Sequence, residues 1–177
     1  GIRGACQKNR GVSPVPRCDL IVSVTDLLQP FIARRGAAVL DGGLATELEA
    51  RGLDLDDPLW SARALIDAPD VVAAVHRDYL EAGTDIIATA TYQATMPAVT
   101  AHEILSGVTL ACRERDAFWE QRERDGARPR PLVAASIGSY GAFLADGSEY
   151  RGDCGRGVDA LAAWHRPRLR LLEGSSA

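Results

Sequence analysis

Three stretches of this chain are apolar or β-branched and largely uncharged, and they constrain the fold more than anything else in it. They are Ala37–Leu40, Thr84–Thr91 and Leu132–Ile137, beginning near residues 37, 85 and 132. A strand with one wet face alternates apolar and polar residues, whereas a strand covered on both faces reads as a continuous apolar run. Helical patterns fill the gaps between the runs. The order is therefore βα-βα-βα with parallel strands, an α/β architecture of either the barrel or the doubly wound kind. Polar residues gather at or just past the end of each run: Asp41, then Thr89, Thr91, Tyr92 and Gln93, then Ser139 and Tyr140. Side chains at the carboxyl ends of parallel strands are where such folds carry their sites.

The helices are legible from spacing. Val24, Leu27, Leu28, Phe31 and Ile32 predict a short helix, interrupted at Pro30, that leads into the first strand. Residues 44–51 form a second, ended by Gly52. A loop over 54–65 closes with a helical turn. Pro69 and Asp70 open the clearest helix, with Val71, Val72, Val75, Tyr79 and Leu80 on one side and Gly83 as its cap. Residues 102–124 and 158–172 supply two more. Residues 1–22 are read as a poorly ordered N-terminal extension. Their first 17 positions hold Arg3, Lys8, Arg10 and Arg17 with no acid. Residues 23–177 are read as one domain.

Composition narrows the partners. The net charge of −4 gives no electrostatic reason to expect nucleic acid or an anionic membrane. No apolar run approaches the roughly 18–20 residues that span a bilayer. Four cysteines (Cys6, Cys18, Cys112, Cys154) show no C-x-x-C pair, which favours free thiols in a reducing, cytoplasmic setting. His76, His102 and His165 fall on predicted helices away from strand ends and read as surface or helix-packing residues. At Asp41-Gly42-Gly43 two readings stand level. The acid closes a rigid strand at an active-site edge, with glycines admitting a ligand to the backbone, or the segment is an ordinary strand-to-helix turn.

Five segments go further: Asp41-Gly-Gly-Leu-Ala-Thr-Glu-Leu48, Asp57-Pro-Leu-Trp-Ser61, His76-Arg-Asp-Tyr-Leu-Glu-Ala-Gly-Thr-Asp85, Thr91-Tyr-Gln-Ala-Thr95, and Ala134-Ala-Ser-Ile-Gly-Ser-Tyr-Gly-Ala142 with Asp146-Gly-Ser-Glu-Tyr150. In this order and spacing they resemble the homocysteine S-methyltransferase family over about residues 30–172, and within it the S-methylmethionine branch more than the betaine branch. The resemblance implies a (β/α)8 TIM barrel that moves a methyl group from a sulfonium donor, S-methylmethionine or S-adenosylmethionine, to homocysteine to form methionine. It implies that Asp41 holds the homocysteine amino group and that Gly42 and Gly43 meet the amino acid through the backbone. Thr89 is implied as a hydroxyl near the substrate, and Trp60 and Gln93, with Tyr140 behind them, as lining for the donor. It also implies zinc, held in the full-length family by three cysteines on later strands, which lowers the pKa of the substrate thiol.

Two departures from the family set further expectations. Between Thr95 and Ala111 the chain is shortened, so the helix there is expected to be short or badly docked. The chain also stops where the family enters its fourth strand, so it is read as a partial TIM barrel of about the first three βα units. No family zinc ligand falls within it, since Cys112 lies in a helix and Cys154 in a loop; no catalytic or metal residue is assigned. An open three-stranded piece leaves apolar area unburied, at roughly 25 cal/mol per Å², so the fragment is expected to be marginal and inactive alone. Competing readings are a non-catalytic partial-barrel module that pairs with another chain, and a different (β/α) enzyme using Asp41 as acid or base. Oligomeric state is left open.

Overall fold

The computed structural model describes residues 24–56, 61–96, 98–122 and 128–175. The predicted N-terminal extension lies outside them. So does Trp60.

Two strands, β1 (Ile86–Ala88) and β2 (Leu132–Ala134), pair in parallel, with Ile86 opposite Leu132, Ile87 opposite Val133 and Ala88 opposite Ala134. The first predicted strand adds one parallel bridge, Leu40 to Ile86, on the other side of β1. Backbone bonds from Asp85 N (2.8 Å) and Ile86 N (3.1 Å) to Val39 O, and from Asp41 N to Ile86 O (2.9 Å), zip it in place. The spatial order is thus 40-segment, β1, β2, all running one way, as the sequence predicts.

All three strands are shorter than expected, and their burial differs from the prediction. Ile87 and Val133 point into the helices and are buried, whereas Ile86, Ala88, Leu132 and Ala134 face the other way and are half-buried. Val39 and Leu40 are exposed at the sheet edge. An uninterrupted apolar run records what a strand can bury, and whether it does so depends on what lies against each face. Past Ala88 and Ala134 the ladder gives way to side-chain bonds among Thr89, Thr91 and Ser136.

Helices cover one face. α1 (Val24–Arg35) runs on through Pro30, contrary to the expected interruption, and buries Phe31. α2 (Leu44–Ala50) and α3 (Ser61–Asp67) follow, α3 replacing part of the expected loop. α4 (Pro69–Ala82) starts with Pro69 in its first turn, where no amide partner is needed, and ends at Gly83, whose φ of +103° suits glycine. Its buried side, Val72, Val75, His76 and Leu80, repeats at helical spacing.

α5 (Ala101–Arg122) corrects the expectation of a short, badly docked helix. It is 22 residues long and buries Ile104, Val108, Ala111 and Phe118. A capping box starts it: Thr100 N donates to Glu103 Oε2 (2.6 Å) and Glu103 N to Thr100 Oγ1 (3.2 Å). Leu80, Ile87, Val108, Ala111, Phe118 and Val133 then form one apolar cluster joining α4, α5 and both strands. The remaining helices are α6 (Tyr140–Leu144), α7 (Ser148–Arg151) and α8 (Val158–Glu173).

Candidate functional site

The carboxyl ends of the strands form a cleft of about 390 Å³, and Asp41 stands in its wall with Gly42, Gly43, Thr89, Tyr92 and Ser136. The 40-segment delivers Asp41 next to the end of β1, where its Oδ2 accepts a 2.8 Å bond from Ala88 N. The carboxylate is half-buried. Burial pushes its pKa up, and the bonds from the backbone amides of Ala88 and of Asp41 itself oppose that shift. Among the described residues no cation pairs with it. The cleft wall carries a second acid, Glu49, and no Lys, Arg or His.

Gly42 lets a tyrosine approach the turn closely. A Cβ there would lie 2.7 Å from Tyr79 Oη and 3.2 Å from the ring, so the α4 tyrosine lies flat on the turn only because nothing projects from it. Tyr79 was not singled out as a site residue from the sequence, although its place on the apolar side of α4 was.

Thr89, Thr91 and Ser136 close a ring of hydrogen bonds between the ends of β1 and β2. Ser136 N donates to Thr89 Oγ1 (3.0 Å), the two threonine hydroxyls meet at 2.6 Å, and Thr91 Oγ1 donates to Ser136 O (2.8 Å). Both threonines are buried. Sequence reasoning missed Ser136, whose only signal is a serine inside the otherwise apolar run Leu132–Ile137.

Not every predicted residue converges here. Gln93 stands outside the wall of the cleft, and its Nε2 donates to Ala142 O (3.2 Å), tying the loop after β1 to α6. Tyr140 is buried among aromatics, edge-on to Trp164 with ring centres 5.1 Å apart, and serves packing. Gly138 follows β2 and donates to Tyr92 O (2.9 Å); a Cβ on it would strike that same carbonyl. His76 is a helix-packing residue, 1% exposed, with neither ring nitrogen bonded among the described residues and a pKa lowered to about 4, chiefly by burial.

Comparison with known proteins settles what kind of protein builds this cleft. A family model described as homocysteine S-methyltransferase matches residues 38–177. The chain belongs to the homocysteine S-methyltransferase family. Homocysteine S-methyltransferase 1 of Zea mays is 49% identical over 161 residues, covering 82% of this chain and 50% of that protein. A selenocysteine Se-methyltransferase of Brassica oleracea var. italica is 46% identical over 158 residues, covering 80% and 46%. Among solved structures, the metallated form of the homocysteine methyltransferase MmuM from Escherichia coli superposes with a TM-score of 0.75 at 42% identity, over 85% of this chain and 54% of that one. The chain spans about half the length of the relatives it matches. The α/β fold is that of the MmuM structure over the shared part, and the family is one of methyltransferases.

The zinc expected from the homocysteine S-methyltransferase resemblance finds no matching donors here. Burial pushes the Cys112 thiol pKa up, opposite to what a thiolate ligand needs, and Cys154 lines a separate cavity beside α7. Among the described residues no three His, Cys, Asp or Glu side chains come close enough to hold a metal. The described residues do not fit the metal, and no chemical step is assigned through it. No helix among them is long and apolar enough to cross a membrane.

Proposed function

We propose that the cleft binds the amino-acid part of homocysteine, with the ammonium group on Asp41, for methyl transfer from a sulfonium donor. The observation that carries this is Asp41 itself: a half-buried carboxylate anchored by backbone amides and lacking a cation of its own among the described residues. An ammonium ion supplies the missing charge and reverses the cost of ionising the acid in a partly dry site. Gly42 and Gly43 leave the backbone bare beside it, and Thr89 flanks it across the strand end. Trp60 and Gln93 are assigned to the donor side, where Gln93 acts on the loop after β1 and not on the amino acid.

In the reaction proposed, the homocysteine sulfur, having lost its proton to solvent, attacks the methyl carbon of the sulfonium donor. The new sulfur–carbon bond forms as the old one breaks, and its electron pair returns to the donor sulfur, which leaves as a neutral thioether. S-Methylmethionine is favoured as donor, with S-adenosylmethionine as the other candidate. The good leaving group means that the protein must chiefly align the partners and make the thiolate available. The three parallel segments are proposed as the start of a (β/α)8 barrel, a reading supported by their order and by the likeness to MmuM. The thiolate-activating centre is not among the described residues, so the 177-residue chain alone is proposed to bind the amino acid without turning over.

Calorimetric titration of L-homocysteine tests the reading. Binding that Asp41→Asn weakens by about tenfold or more supports it, and equal affinity in the two proteins overturns it. Methionine formation by the chain alone from S-methylmethionine and homocysteine would overturn the inactivity part. A second substrate is favoured by the Brassica relative, named for selenocysteine. The ammonium contact proposed here is common to both amino acids, and the same titration with selenocysteine measures the preference.

A further inference from the structure

Counting protons in the hydroxyl ring changes which side chain is able to serve the substrate. Thr91 Oγ1 lies 2.8 Å from the Ser136 carbonyl, which can only accept, so the single Thr91 proton is spent there. The 2.6 Å contact between the threonines therefore runs from Thr89 as donor to Thr91 as acceptor. Thr89 also accepts from Ser136 N at 3.0 Å. Its proton is committed, and it offers a ligand one lone pair at most. Ser136 is engaged through its backbone on both sides, yet its own hydroxyl has no partner among the described residues, and the residue lines the same cleft as Asp41.

An α-amino acid brings a carboxylate as well as an ammonium, and a carboxylate needs donors. The acids Asp41 and Glu49 cannot supply one in their charged forms. Tyr92 lines the cleft but points its hydroxyl proton at Glu149 (3.4 Å), and Thr46 sits on the exposed first turn of α2. Ser136 remains as the side-chain donor on the sheet side, complementing the bare backbone of Gly42 and Gly43 on the α2 side. Asp41 and Ser136 follow segments two strand spacings apart, about 10 Å, and the Asp41 carboxylate reaches inward to the Ala88 amide, which shortens the gap between the two groups across the end of β1. An ammonium and a carboxylate on one α-carbon, with a hydrogen bond of about 2.8 Å at each end, fit such a gap.

We infer that Ser136, and not Thr89, donates the hydrogen bond to the substrate carboxylate, and that Thr89 with Thr91 is the latch that holds Ser136 at the cleft. This deepens the homocysteine reading and rests on it. Thr89 is then a positioning residue.

The test is titration of the 177-residue chain with L-homocysteine and with aminopropanethiol, which is homocysteine without its carboxylate. Ser136→Ala should weaken homocysteine about tenfold, the size of one charge-assisted hydrogen bond, and leave aminopropanethiol unchanged. Thr89→Val should weaken homocysteine similarly, add little on top of Ser136→Ala in the double variant, and be rescued by Thr89→Ser, which keeps the hydroxyl. Asp41→Asn should weaken both ligands. If Asp41→Asn acts and Ser136→Ala does not, or if Ser136→Ala affects both ligands equally, the Ser136 assignment falls while the homocysteine reading stands. If the unaltered chain binds neither ligand, both fall together.

Discussion

Two aspartates at opposite ends of the sheet have opposite surroundings. Asp85, just before β1, is 1% exposed, and its Oδ2 takes both the guanidinium of Arg35 and a 2.9 Å bond from Val39 N. Asp41, beside the last residue of β1, takes backbone amides alone and no cation among the described residues. The protein has furnished one acid with its own counter-ion and left the place beside the other open to a cleft. A buried acid that is already paired serves the fold, whereas an acid with no counter-charge among the described residues is poised for a ligand. His76 is a third case: it is buried with no hydrogen bond among the described residues and meets the cost by staying neutral.

The largest expected effect tests that third case. His76 has a folded pKa of about 4 against an ordinary value of 6.5. A lowered pKa means that the unfolded chain takes up the proton first. The contribution is complete above pH 6.5 and is lost as pH falls toward 4, reaching about 3 kcal/mol at full protonation. Urea unfolding followed between pH 7 and 4 should show this loss, and His76→Leu should flatten it relative to the unaltered chain. Parallel pH profiles for the two proteins would mean that the histidine is solvated or paired after all.

Next in size comes Asp85. Replacing it with alanine strips the Val39 amide of its acceptor and leaves the half-exposed Arg35 without its partner, at an expected cost of about 2 kcal/mol. The homocysteine affinity of the protein that remains folded should not change, because Arg35, Val39 and Asp85 meet at the end of the sheet away from the cleft. A loss of affinity without a loss of stability would erase the distinction between the two acids.

The parts of this arrangement that were legible in the sequence are the local ones. Apolar runs punctuated by Asp-Gly-Gly or Gly-Ser disclose where parallel strands end, and Pro69 and Gly83 disclose where α4 begins and stops. The Thr89–Ser136 bond joins residues 47 apart and exists only because β1 and β2 pair in one register. No local pattern encodes that register, so the serine passed as one more strand residue. The surroundings of Gln93 were hidden in the same way: its position in a strand-end loop was readable, but the carbonyl of Ala142 that turns it toward α6 was not. Val39 and Leu40 looked buried because their composition permits it, and they are exposed because nothing described lies on that edge.

The smallest expected change in stability carries the most weight for function. Asp41→Asn keeps an oxygen to accept the Ala88 amide and removes a charge whose ionisation burial makes costly. Because the folded pKa is raised, ionisation of Asp41 weakens the fold as pH rises, and the neutral amide escapes that cost. The variant should match the parent within about 0.5 kcal/mol at pH 7, or exceed it slightly, the margin typical of changes that break no internal contact. Its homocysteine affinity should nonetheless collapse. In the unaltered chain that affinity should fall as the pH is lowered through the raised carboxyl pKa, since only the ionised acid pairs with an ammonium. The Asn variant should show no such dependence. A destabilisation as large as that of Asp85→Ala would mean that both ends of the sheet hold structural acids, and that the cleft has no acid reserved for a ligand.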